Sequence, residues 1–183
     1  MKRKSVIVAI AAIVFLGGFL FFYKDSSAPS VSVPSTPSSA DDKNATYTID
    51  GSSITLVDGY AESEIAPGSA SKLITQYFGN EAMGDLTGNG AGDAAFLITQ
   101  TGGGSGTFYY IVAAIKTTDG YRGTNGILLG DRIAPQSTEI KNGEIVVNYA
   151  DRSAGEPMTA QPSVGVTRYF RVQDGILVEA DKH

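Results

Sequence analysis

Four oxygen-bearing side chains recur in one glycine-rich stretch: Asp85, Thr87, Asn89 and Asp93 occupy positions 1, 3, 5 and 9 of a loop whose position 6 is Gly90. Alternate spacing in a tight loop turns such oxygens toward a common interior, and glycine at position 6 supplies the sharp bend of a calcium loop. The backbone carbonyl of Ala91 adds a further oxygen. The chemistry is coordination of a hard cation, with calcium the candidate and Asp85, Thr87, Asn89, Ala91 and Asp93 the ligand set. Position 12 is Phe96 where an EF-hand carries a bidentate Glu. Two carboxylates therefore place the affinity at about 10⁻⁴ to 10⁻³ M, the range of extracellular modules. A metal-free turn uses the same residues differently, with Asp85 and Asp93 accepting backbone hydrogen bonds and the glycines adopting left-handed conformations.

Two further constellations have reactive groups. Asp131-Arg132 and Asp151-Arg152 offer paired carboxylates of the kind that flank a scissile sugar bond, with arginines to orient substrate. The plainer reading of such pairs is structural ion pairing or turn capping. Ser69-Ala70-Ser71-Lys72 matches the S-x-x-K element of penicillin-binding serine enzymes, and Lys116-Thr117-Thr118 faintly resembles their K-T-G. The S-D-N element is missing and the chain is too short for that fold. With no cysteine and a single histidine, His183 at the last position, the chain lacks a Cys nucleophile, thiolate metal sites and the His of a Ser-His-Asp triad. Tyr109, Tyr110, Tyr121, Tyr149 and Tyr169 could stack on a glycan, but tyrosines on alternating strands are first of all core and rim residues. The absence of tryptophan removes the strongest sugar-stacking signal.

Residues 84–93, GDLTGNGAGD, resemble the G-D-x-[ND]-G-D-G-x-x-D element of FG-GAP/VCBS-type repeats of exported and adhesion proteins. That resemblance implies calcium held between two strands. Thr87 and Asn89 depart from the pattern, and the motif occurs once, which argues against a propeller built from such repeats. The longer string from Asp85 through Gly130-Asp131-Arg132-Ile133-Ala134-Pro135, Val147 to Arg152 and Gly155 to Thr159 is similar to a family of uncharacterised, membrane-anchored bacterial exported proteins. It implies location and fold continuity and carries no activity.

The elements that position these residues are strands. Tyr47 to Ile49 and Ile54 to Val57 flank Asp50-Gly51, Thr138 to Ile140 and Ile145 to Tyr149 flank Asn142-Gly143, and Val166 to Val172 and Ile176 to Glu179 flank Asp174-Gly175. Each dipeptide tolerates the positive φ angles of a two-residue hairpin turn, so three hairpins are predicted. Ala94 to Ile98 and Phe108 to Ile115 are apolar at odd and even positions alike, which places them between layers at the centre of a sheet. The Thr101 to Gly106 connection reads as a glycine-rich hairpin tip. Residues 69–78 mix helical spacing with β-branched and aromatic content and are read as a strand.

The N-terminus addresses the chain. Residues 1–4 contain Lys2, Arg3 and Lys4, and residues 5–23 carry no charge. Nineteen residues at about 1.5 Å each reach roughly 28 Å, enough to cross a bilayer. The leading positive charges leave the N-terminus cytoplasmic and the rest exported. A cleaved signal peptide is the competing reading, with Ser26-Ser27-Ala28 as its site and Pro29 against it. Residues 24–43 are Ser/Pro-rich and read as a stalk spanning up to roughly 60 Å when extended at about 3.1 Å per residue. From residue 44 on, nine Lys and Arg face sixteen Asp and Glu, a balance of −7 that repels phosphate backbones and excludes nucleic acid as a partner.

The sequence thus predicts cytoplasmic residues 1–4, a transmembrane helix at 5–23, a stalk at 24–43 and a mostly antiparallel all-β domain, sandwich or partly open barrel, at 44–183. The expected function is that of a membrane-anchored extracytoplasmic binding or accessory module of the cell envelope, its partner an envelope protein or glycan. The alternative is an envelope glycan or ester hydrolase using Asp131, Asp151 or Ser69.

Overall fold

The computed structural model describes residues 41–181. The predicted anchor at 5–23 and the stalk up to residue 40 lie outside that range. No helix among the described residues is long and apolar enough to cross a membrane. The first described element is a single 3-10 turn at Asp42–Asn44. Asp42 is buried there, and its carbonyl accepts a 2.6 Å bond from Tyr47 Oη.

The described chain is all-β, and its named strand pairs are antiparallel. The two-stranded sheet consists of β1 (Thr46–Ile49) and β2 (Ser52–Thr55). β3 (Tyr60–Glu64), β4 (Lys72–Gly84), β5 (Asp93–Gly102), β6 (Phe108–Thr117) and β7 (Gly120–Gly123) lie side by side in that order, and β8 (Ile127–Asp131) also pairs with β6. β9 (Ala134–Lys141), β10 (Glu144–Asp151), β11 (Val164–Gln173) and β12 (Ile176–Ala180) make a four-stranded meander.

The turn residues fall where their chemistry puts them. Asp50-Gly51, Asn142-Gly143 and Asp174-Gly175 have φ of 49° and 79°, 52° and 76°, and 51° and 78°, the doubly left-handed conformation of the predicted hairpins. Asp58-Gly59, at 50° and 78°, is a fourth turn of this kind and leads from β2 to β3. The segment read as a strand at 69–78 is one, but it runs from Lys72 to Gly84. Its pairing to β5 slips between Tyr77 and Ala82, where Gly79 and Asn80 have φ of 118° and 51°. Such bulges bend a strand without ending it, and this one carries the chain to the start of the 85–93 loop.

β5 and β6 are buried on both faces, as their unbroken apolar runs require. Ala95, Leu97, Ile111, Ala113 and Ile115 pack with Ile145, Val147, Tyr149, Phe170 and Leu177 of the four-stranded sheet. Ala94, Phe96, Ile98, Val112 and Ala114, on the opposite face, pack with Ala45, Tyr47, Ile49 and Leu56 around the β1–β2 hairpin. Phe96 anchors this second core, with Tyr47 edge-on at 5.7 Å and Tyr77 at 5.1 Å. The architecture has three layers and two cores, with the six-stranded sheet in the middle. The small hairpin cannot cover the whole face it packs on.

Candidate functional site

The 85–93 loop leaves β4 and returns into β5, and its oxygens turn to its own backbone. Asp85 Oδ1 accepts N–H bonds from Thr87 (3.2 Å), Gly88 (2.7 Å) and Asn89 (3.2 Å), and Oδ2 accepts one from Gly90 (2.8 Å). Asn89 Oδ1 accepts from Ala91 N–H at 2.7 Å, and the Ala91 carbonyl accepts from Asp93 N–H at 3.2 Å. Asp93 is fully buried. Its Oδ2 takes the Leu86 N–H at 2.8 Å, with Thr87 Oγ1 at 3.5 Å, and its Oδ1 takes the Lys116 N–H of β6 at 2.8 Å. The Gly90 N–H, followed by the other amides, holds the Asp85 carboxyl below the usual carboxylate range. Gly88 and Gly90 have φ of 76° and 78°, so the glycines supply the left-handed geometry that closes the turn.

All five residues of the proposed ligand set are thus brought into one loop, where the oxygens of Asp85, Asn89, Ala91 and Asp93 accept hydrogen bonds from within the protein and Thr87 Oγ1 donates one to Asp93. A carboxylate oxygen that accepts one N–H keeps a further lone pair, so a cation at this loop would share Asp85 and Asp93 with the backbone donors they already hold. As arranged, these residues form a turn closed by its own hydrogen bonds.

The two Asp-Arg pairs converge, and they do so as a structural brace. Arg132 Nη2 lies 3.0 Å from Asp131 Oδ2, while Asp131 Oδ1 also accepts the Thr107 N–H at 2.8 Å. Burial works to raise the Asp131 pKa, and the bonds from Arg132 and Thr107 outweigh it and leave the carboxyl below its ordinary value. Arg152 is directed at carbonyls: Nε donates to Ala160 O at 2.7 Å, and Nη1 to Asp131 O at 3.2 Å and Arg132 O at 3.0 Å. Asp151 Oδ1 accepts the Arg152 N–H at 2.7 Å. These bonds tie the end of β8 to the segment after β10. Ser69 Oγ accepts the Ser71 N–H at 3.1 Å in the β3–β4 connection, and Lys72 Nζ points to Glu64 at 3.8 Å.

Three of the five candidate tyrosines are engaged within the fold. Tyr110 is buried with its hydroxyl on Asp50 Oδ2 at 2.8 Å, Tyr149 is buried with its hydroxyl on Leu129 O at 3.3 Å, and Tyr109 packs edge-on against Phe78 at 5.1 Å. Burial first, and then Asp50, pushes the Tyr110 pKa up.

One concavity is passed over by the motif reading. A cleft of about 620 Å³ opens where the β1–β2 hairpin stops covering the central sheet, between β2 on one side and β3 on the other. Leu73, Thr75, Gln100 and Gly102 of β4 and β5 contribute to its lining. Thr75 and Gln100 are both buried, and Gln100 Nε2 donates to Thr75 Oγ1 at 3.0 Å. Asp50, Glu62 and Glu64 also line the cleft, and among the described residues no lysine or arginine does. The signals in the sequence were the Asp58-Gly59 turn and two mostly polar strands, SSIT and YAESE, which give the second core only Ile54 and Ala61. No protein-family model, curated protein or solved structure matches this chain.

Proposed function

We propose that the domain is a binding or accessory module of the cell envelope, displayed outside the membrane by the anchor and stalk read in residues 5–43, and that the cleft between β2 and β3 holds its ligand. The observation that carries this reading is the cleft itself. It combines apolar surface with hydrogen-bonding groups, the usual composition of a recognition site. The Asp131 and Asp151 carboxylates that a hydrolase would need are engaged with Arg132, Thr107 and backbone amides, and Asp131 is shifted away from the raised pKa of a general acid. Calcium in the 85–93 loop, which the FG-GAP/VCBS resemblance proposes, is not required by this reading.

The test is titration of the full-length chain, in detergent, with soluble envelope fragments, glycan oligomers in one series and peptides in another. Backbone amide shifts are followed at Ser53, Thr75 and Gln100, and the probes are recovered and weighed. Saturable shifts at these residues with an unchanged probe are expected. A cleaved probe would move the reading to the hydrolase, and an unresponsive cleft in both series would overturn it.

A further inference from the structure

The cleft is flanked by two strand edges that begin as a hairpin and then part. Val57 and Tyr60 exchange both backbone bonds, at 2.8 and 3.0 Å, across the Asp58-Gly59 turn. Continued in that register, the hairpin would pair Thr55 with Glu62 and Ser53 with Glu64. Instead β2 stays with β1, where Ile54 and Leu56 pack into the second core, and β3 stays with β4.

The bonding pattern shows which backbone groups this separation leaves. At the two ends of β3, Tyr77 N–H donates to Gly59 O (2.7 Å) and Ile65 N–H donates to Ser71 O (3.3 Å). Antiparallel bonding alternates by residue, so Gly59, Ala61, Ser63 and Ile65 direct their backbone groups to β4, and Tyr60, Glu62 and Glu64 direct theirs outward. Val57 takes those of Tyr60. On β2, Leu56 N–H donates to Ala45 O at 3.1 Å, which by the same alternation turns Ser52 and Ile54 toward β1 and leaves Ser53 and Thr55 facing out. Ser53, Thr55, Glu62 and Glu64 are all exposed, and all line the one cleft.

We propose that this wedge receives an extended, lysine- or arginine-bearing polypeptide segment by strand addition, its backbone pairing with the outward N–H and C=O groups of Glu62 and Glu64 and reaching those of Ser53 and Thr55. Strand addition draws affinity from main-chain bonds and specificity from the side chains between them. Here the specificity is charge: three carboxylates, Asp50, Glu62 and Glu64, surround the slot, with Lys72 3.8 Å from Glu64 opposing only one of them, in a domain whose balance is −7. The same carboxylates keep the edges of two copies of this chain apart. The inference rests on the cleft being the ligand site and adds the class of ligand.

The probe is a seven-residue peptide of alternating lysine and valine, set against its glutamate counterpart and a version N-methylated at alternate residues. Full-length chain is titrated in detergent while amide exchange at Glu62, Glu64, Ser53 and Thr55 is followed. The lysine peptide is expected to slow exchange at Glu62 and Glu64 and to bind at least tenfold more tightly than the other two. Glu62→Pro removes one outward donor while sparing the bonds to β4, and Glu64→Lys reverses a charge and leaves the backbone alone. Each is expected to weaken binding at least fivefold, with thermal unfolding confirming that the variant is folded.

Equal binding of the glutamate peptide, or lysine-peptide binding that leaves these amides exchanging freely, would overturn the proposal. So would amides already protected before any peptide is added, since the chain's own residues 1–40 would then fill the slot. Cleft shifts with glycan oligomers and none with peptides would overturn strand addition while leaving the binding-module reading intact.

Discussion

Replacing Asp93 by alanine removes the acceptor of two backbone amides on different elements, Leu86 in the loop and Lys116 in β6, at a side chain with no solvent exposure. A buried donor left without its acceptor costs about 1–3 kcal/mol, and bonds to a carboxylate stand at the upper end of that scale. Two such losses give about 3–5 kcal/mol for Asp93→Ala. Asp93→Asn keeps one acceptor oxygen and sets an NH₂ against the second amide, so about half that loss is expected. For a domain of this size the alanine change lowers Tm by roughly 6–20 °C. The assay is urea and thermal unfolding of the full-length chain, run in EDTA and in millimolar calcium with magnesium as control. Because Asp93 acts here as a hydrogen-bond acceptor, the loss should be the same in all three. Two variants within about 0.5 kcal/mol of the parent would refute the bridging role. A calcium-specific rise in the parent that Asp93→Asn abolishes would refute the self-closed turn and restore the cation. Millimolar calcium on a site of about 10⁻⁴ to 10⁻³ M adds about 0.4–1.4 kcal/mol.

Three other outcomes are expected. Burial, together with the neighbouring Asp41 side chain, raises the Asp42 pKa to about 6. A carboxyl raised in the folded state costs stability as pH climbs from its unfolded value near 4 through 6, so Asp42→Asn should flatten the pH dependence of unfolding across that window; unchanged pH dependence would count against it. A Cβ on Gly123 would overlap the Thr46 carbonyl and the Tyr47 ring, so Gly123→Ala should cost about 1–3 kcal/mol by prising the β1–β2 layer from β7, and a neutral result in urea unfolding would contradict that packing. If residues 5–23 form the anchor, carbonate-washed membranes retain the full-length chain, and its release into the wash would favour a cleaved N-terminus.

Much of the local structure was legible because its causes are local. Asp-Gly and Asn-Gly mark turns because their φ angles are set by the residues themselves, and Asp58-Gly59 carried the same signal as the three dipeptides that were read. The buried centre was legible because Ala94 to Ile98 leaves neither face polar. The length of β4 was not, since its continuation past Phe78 depends on a bulge at Gly79 and Asn80 that lets the strand bend and still pair with β5. The oxygens of the 85–93 loop share one turn, but spacing alone does not say whether a carboxylate faces a cation or an amide. Asp93 meets the Lys116 N–H only because β5 and β6 lie side by side.

The sequence by itself determined where the chain turns, which strands lie between layers, the acidic character of the domain and the apolar segment that precedes it. These follow from dihedral preference, side-chain alternation and charge, each a property of neighbouring residues. Tertiary structure alone decided that Arg152 braces the carbonyls of Asp131, Arg132 and Ala160 and that β2 and β3 separate after one pair of bonds. Both depend on competition between distant partners. β2 has Ile54 and Leu56 to bury and β3 has β4 to pair with, and together these outweigh the hairpin their turn would otherwise form.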